Sequence, residues 1–241
     1  MAYQRAYFPS KLLDLSQGYG SSSGTHKLSY ALDFAGVQEV LAPFDCKITK
    51  LYQPSDTKNH SNTVWLTSTN KVLCANGYYG YLTMSITHPS EISKMKLGTT
   101  YKQDTKICTT QKMTGVNSGN HYHLELAKGT TAGWELKKSG NYTEYVIKNK
   151  IKSEEYLFVR EDATIKRTSY KGTTYKFLKE SDLTYKVYNV PSEPLLIRNK
   201  LGFKIGKLYN DDEVIKFDNN TKCLVYHYSV LGYTYSKYLK K

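Results

Sequence analysis

Two histidines, His121 and His123, stand two residues apart in GNHYHLELAKG, residues 119–129, where apolar and polar residues alternate as in a β-strand. Side chains at i and i+2 of a strand point to one face, so both imidazoles converge on one place. Two converging imidazoles suggest a metal. The pair alone is weak evidence, because zinc takes a third protein ligand and usually a fourth. A second cluster supplies candidates: GTHKLSYALDFAG, residues 24–36, holds His26 and, seven residues on, Asp33 at the head of an apolar stretch. Imidazole nitrogen and carboxylate oxygen are ordinary zinc donors. An unpaired carboxylate between apolar residues is also expensive to bury. Between the clusters, SITHPSEI places His88 at the end of another apolar run, its backbone biased toward extended geometry by Pro89. Four of the six histidines therefore fall in strand-like segments or at their edges. The other two stand apart. His60, in the polar run TKNHSN, reads as a loop residue outside the site. His227, in VYHYSV, alternates with aromatics and reads as an ordinary strand residue of a second domain.

In their order along the chain these segments resemble the lysostaphin-like and LytM-like zinc metallopeptidases, which cut peptide bonds in bacterial cell-wall peptidoglycan. The resemblance covers residues 15–130: an N-terminal His and Asp, the run LAPFDCKITKLY, a central His, and a small-residue turn, GVNSGNHYH, that keeps Gly115 and Gly119 before H-x-H. Six residues separate His26 from Asp33, more than is usual in the family. A longer spacing followed by Tyr-Ala-hydrophobic-Asp-Phe is a variant of the same pattern, and Tyr30, Ala31, Leu32, Asp33 and Phe34 fit it. The resemblance implies that His26, Asp33 and His123 are the zinc ligands and that His88 and His121 are the catalytic histidines.

Three protein ligands leave a fourth zinc position open, where the pKa of a water falls to roughly 7. Two neutral imidazoles and one carboxylate leave such a site a net positive charge, able to polarise a peptide carbonyl. Between them, His121 and His88 would take the water proton and stabilise the oxyanion. Glu125 continues the alternation, either orienting a ligand from behind or ending the strand in solvent. Trp134 and Tyr142, after H-x-H, either line the substrate groove or pack and cover an edge.

The elements that must position these residues read as strands. Tyrosine and threonine are abundant, with 23 tyrosines, and many short runs alternate, while no long helical pattern is present. The fold class is therefore all-β, and the resemblance implies an antiparallel sheet whose groove carries the zinc. At 241 residues the chain can build one sizeable core and a small second domain. Residues 1–165 form the catalytic-looking domain, and 166–182, polar and basic, read as a linker. From 183 to 241 the pattern changes to closely spaced short strands, TYKVYNV, PLLIRN, FKIGKLY, DEVIKF, CLVYHYSV and GYTYSKYL, as a small barrel requires. This stretch resembles the bacterial SH3-like domains appended to cell-wall hydrolases, in LLIRNKLGFKIGKLYNDDEVIKF and the ending GYTYSKYL. Tyr226 to Tyr228 stand where the usual tryptophan-containing hairpin would be. Such a domain implies binding to peptidoglycan or wall carbohydrate.

Cys46, Cys74, Cys108 and Cys223 form no C-x-x-C pair and no tight framework, and read as free thiols in strands of a protein folded in a reducing cytoplasm. The opening MAYQRAYFPSKLLDLSQGYG lacks the pattern of a secretory signal, and no stretch approaches a transmembrane helix. The expectation is a protein made in a host cytoplasm that acts on the wall after release or within a virion, as phage endolysins and virion-associated lysins do. A net charge of +13, from 34 basic and 21 acidic residues, favours polyanionic partners. The lysines are dispersed and no nucleic-acid-binding signature is present, so anionic wall polymers are the expected partners and nucleic acid is not. The enzyme reading has one rival of another class, a virion-structural or wall-binding protein with a metallopeptidase-like domain that no longer cuts. Retention of every ligand favours the enzyme.

Overall fold

The computed structural model describes residues 3–20, 26–53, 62–112, 119–191 and 194–241. His60 and Gly115 lie outside the described residues. Strands dominate, and the only α-helical pieces among the described residues are Ser153–Tyr156 and Glu180–Leu183, so the all-β expectation holds.

In the N-terminal part the strands that matter for the site are β1 (Leu12–Gln17), β2 (Leu32–Ala35), β3 (Cys46–Tyr52), β4 (Thr63–Ser68), β5 (Leu82–Thr87), β6 (Asn120–Lys128), β7 (Trp134–Ser139), β8 (Tyr142–Ile147) and β9 (Thr164–Arg167). One large sheet runs β9-β1-β2-β6-β5-β4-β3, with the β9–β1 pair parallel and the others antiparallel. One sheet face carries the core: Leu13, Leu15, Leu32, Phe34, Val64, Leu66, Met84, Ile86, Tyr122, Leu124 and Leu126 pack together out of solvent. Tyr122 shows the alternation working. Its ring stacks on Phe34 at 5.3 Å, its hydroxyl meets Ser10 Oγ at 2.7 Å, and its neighbours His121 and His123 are sent to the opposite face.

That opposite face is buried as well, since every residue of β4 and β5 is out of solvent. It is held by a ladder of threonine hydroxyls, Thr49 to Thr67 (2.8 Å), Thr67 to Thr83 (3.1 Å) and Thr63 to Thr87 (2.9 Å). The β7–β8 hairpin covers part of it, seating Trp134 on Trp65 with ring centroids 4.7 Å apart.

The segment 166–182 is not a linker. Tyr175 and Phe177, on either side of Lys176, enter the first core, Phe177 packing 5.4 Å from Phe8 and 5.8 Å from Phe34 between ring centroids. Strand β9 runs across the expected boundary, and Leu178–Lys179 pairs in parallel with Phe158–Val159.

The C-terminal part contains β10 (Thr184–Val187), β11 (Leu195–Arg198), β12 (Lys204–Leu208), β13 (Glu213–Lys216), β14 (Lys222–His227), β15 (Val230–Tyr235) and β16 (Leu239–Lys240). They form one antiparallel seven-stranded sheet in the order β12-β11-β15-β14-β13-β10-β16. Its own core is Val187, Leu195, Ile197, Leu208, Val214, Cys223 and Val225. CLVYHYSV is a strand followed by a turn at Tyr228, whose φ of 50° reverses the chain into β15. The four cysteines are free and buried, and burial pushes the Cys46 and Cys108 thiols up to about 12. Cys74 lies just beyond the short strand Val72–Leu73 rather than in a strand.

Candidate metal centre

Pairing of β6 with β2 sets His123 directly opposite Asp33. His26 reaches the same place from the chain preceding β2. His123 Nδ1 lies 3.1 Å from Asp33 Oδ1, and His26 Nε2 lies 3.5 Å from Asp33 Oδ2. The two rings stand nearly perpendicular with centroids 4.8 Å apart. One ligand atom from each of the three residues falls within 4.8 Å of the others. All three predicted ligands therefore converge.

Burial and mutual contact set the charge state of the three residues. His123 Nδ1 faces Asp33 Oδ1 without hydrogen-bond alignment, and both Asp33 Oδ1 and His26 Nδ1 are buried without a hydrogen-bond partner. Buried polar atoms left so are costly unless something supplies the missing contact. Burial opposes ionisation of Asp33, but His26 and His123 outweigh it and hold the carboxyl at about 2. At His26 burial dominates and lowers the pKa, so the ring is neutral with a lone pair to offer. At His123 burial works against charge, yet Asp33 and Glu125 outweigh it and push the ring up to about 10. Without a metal, then, the two carboxylates draw a proton onto His123. A divalent cation held by Asp33 would take the place of that proton and leave His123 Nδ1 free to ligate. Two imidazoles and a carboxylate brought together here, with Asp33 Oδ1 buried and unpartnered, fit zinc.

Glu125 does not end the strand in solvent. It is buried behind His123, its Oε2 3.9 Å from His123 Nε2 and its Oε1 accepting the Ile147 N–H at 3.2 Å.

His88 and His121 form a second pair in the same cleft, ring centroids 4.7 Å apart. His121 Nδ1 lies 3.0 Å from the Gly119 carbonyl, which accepts from that nitrogen when it carries the proton and leaves Nε2 as the proton acceptor. The extended backbone expected for His88 is not what the structure has. Its φ is 69°, a left-handed conformation costing on the order of 1–3 kcal/mol for a residue of this kind. The bend follows β5, where the His88 N–H donates to the Asn62 carbonyl at 2.9 Å. Local preference before proline yields here to the turn that brings the ring to His121.

The cleft, of ≈ 630 Å³, is lined by the five histidine and aspartate side chains together with Ser16, Gln17, Asn120, Tyr142, Glu144 and Tyr145. Of the two aromatics considered from sequence, Tyr142 lines the cleft, whereas Trp134 packs on Trp65. Glu144 and Tyr145 escaped the sequence reading, although their place in an alternating strand after H-x-H could have flagged them. His227 lies in the C-terminal part, its Nδ1 2.8 Å from the Glu213 carbonyl and its Nε2 3.6 Å from Asp212 Oδ2, away from this cleft.

No family model matches the chain, and no curated protein is similar to it in sequence. Solved structures similar to it include the antimicrobial peptidase lysostaphin from Staphylococcus simulans, at 15% identity over 98% of this chain and 92% of that one, TM-score 0.37. Others are a zinc-containing peptidase from Vibrio cholerae (16% identity, 52% of this chain and 36% of that one, TM-score 0.35) and LytU (17% identity, 55% and 81%, TM-score 0.36).

Proposed function

We propose that this chain is a zinc-dependent endopeptidase that hydrolyses peptide bonds in bacterial peptidoglycan, in the manner of phage endolysins and virion-associated lysins, with its C-terminal part holding the enzyme to the wall. The observation that carries this reading is the convergence of His26, Asp33 and His123 within 4.8 Å beside a second pair, His88 and His121, in one open cleft. A purely structural metal site closes its coordination sphere with a fourth protein ligand. Among the described residues no fourth His, Cys, Asp or Glu joins these three.

His26 Nε2, Asp33 and His123 Nδ1 would hold the ion, and zinc bound there supplies Lewis acidity toward the scissile carbonyl and an activated water. The remaining work belongs to the chain. His121, with Nδ1 engaged by the Gly119 carbonyl, offers Nε2 to the water proton, and His88 shares that task and the stabilisation of the oxygen that gains charge. Glu125 keeps the His123 ring oriented from behind. Tyr142 and Tyr145 give the peptide an amphipathic wall.

For wall attachment, the C-terminal part offers a groove of ≈ 670 Å³ with Tyr233, Tyr235 and Tyr238 in its lining and Arg198 and Lys222 beside them. The net charge of +13 adds a general, salt-sensitive attraction to wall anions.

Paired substitutions test the assignment. His123→Ala is expected to abolish both zinc retention and clearing of cell-wall suspensions, and His121→Ala to keep zinc while losing activity. Wall lysis that persists after either change would sink the proposal; zinc bound without cleavage on any wall type would favour a binding or virion-structural role.

A further inference from the structure

The β7–β8 hairpin does more than cover the sheet. From β8, Glu144 reaches the chain immediately after His26: Leu28 N–H donates to its Oε2 at 2.8 Å and Ser29 Oγ donates to its Oε1. Tyr142, on the same strand face, donates its hydroxyl to Glu144 Oε2 at 3.4 Å, and its ring carries Lys27 Nζ 5.0 Å from the centroid. Residues 27–29 are thus gripped by a strand more than a hundred residues away in sequence. His26 is buried, but its Nδ1 has no hydrogen-bond partner, so its own ring makes no bond at that nitrogen to fix its position. Three residues on, Ile147 N–H donates to Glu125, which lies behind His123. One hairpin braces both histidines.

We infer that Glu144 is a positioning residue for the metal centre, fixing the His26 segment against β8 so that His26 meets Asp33 and His123; this rests on the reading of those three residues as zinc ligands. Its partners at Leu28, Ser29 and Tyr142 are all donors, so both of its oxygens serve as acceptors in this brace.

The experiment is a zinc titration of the whole chain against a competing chelator, for wild type, Glu144→Ala, Glu144→Gln and Ser29→Ala, with the melting temperature of each metal-free protein measured alongside. Loss of a partner that orients a metal ligand typically weakens metal binding roughly 10–100-fold. Glu144→Ala is expected to fall in that range with its metal-free melting temperature close to wild type. Glu144→Gln, which keeps one acceptor oxygen and the side chain's shape but not the charge, should recover part of the loss. Ser29→Ala removes a grip from the other side and should weaken zinc in the same direction, which keeps the test open if Glu144→Ala folds poorly. Wild-type zinc affinity in both Glu144→Ala and Ser29→Ala would overturn the positioning role while leaving the ligand assignment intact. Wild type that binds no zinc would overturn the ligand assignment and this role with it.

Discussion

Asp33 decides the chemistry of the centre at the scale of single residues. It lies between two imidazoles and opposite His123 in the ladder, so one carboxylate both neutralises and spaces the donors. Replacement by Asn keeps the shape and removes the charge. Asp33→Asn should therefore lower zinc affinity by at least a factor of ten, read by chelator competition, while unchanged affinity would remove Asp33 from the ligand set. His121, His123 and the face they share were legible in the sequence because a strand's period of two is fixed by geometry. The opposition of Asp33 to His123 was not, because register depends on which strands pair. The left-handed backbone at His88 ran against the local bias set by Pro89 and had no sequence signal. Nor did the grip of Glu144 on Leu28 and Ser29, a contact between side chain and distant backbone.

Strand β6 is the element that carries the site, and its two faces are separable. Tyr122 points to the core, so Tyr122→Phe should cost about 1 kcal/mol through loss of its bond to Ser10. Zinc affinity should be unchanged, because the histidines occupy the other face; a loss of zinc binding would show that the faces are coupled. The short helix Ser153–Tyr156 carries a second testable group. Burial raises the pKa of Glu154, with the Tyr19 hydroxyl acting the other way. A carboxyl whose folded pKa exceeds its unfolded value favours folding most below the unfolded value, and that contribution is lost as pH rises through the folded one. Glu154→Gln should therefore gain in melting temperature relative to wild type as pH rises from the ordinary carboxyl range, about pH 4, to neutrality. A constant difference across that range would contradict it. The misreading of 166–182 belongs to this scale too. Its lysines and threonines masked the Tyr175–Phe177 alternation that anchors it, a pattern two side chains long.

Across the whole molecule the two parts are docked. Arg5, held by a two-pronged bond to Glu180 at 2.9 and 3.1 Å within the N-terminal part, lies over the Tyr226 ring of the C-terminal part, 4.6 Å from its centroid. Leu73, Ile215 and Tyr226 form a shared apolar cluster, with Tyr3, Leu183, Phe217 and Leu231 packed against it. Gly77, at φ 79°, leaves room for Leu224, whose Cδ2 would stand 2.5 Å from an added Cβ. The parts should therefore melt in a single calorimetric transition, and Gly77→Val should split it into two; a single unshifted transition in the variant would show that this contact does not couple them. Repeating short strands made the C-terminal part visible in the sequence. Its docking was invisible, since the cluster draws single residues from segments spread along the chain.

The most direct test of the central claim is metal content measured together with wall lysis. The purified chain is assayed for zinc, and the turbidity of Gram-positive cell walls is followed with and without a chelator. One zinc per chain, clearing that the chelator stops, and new amino termini in the released fragments are the expected results. A chain that clears walls equally well after zinc is stripped, or that holds zinc and releases no new amino termini from any wall, would contradict the account.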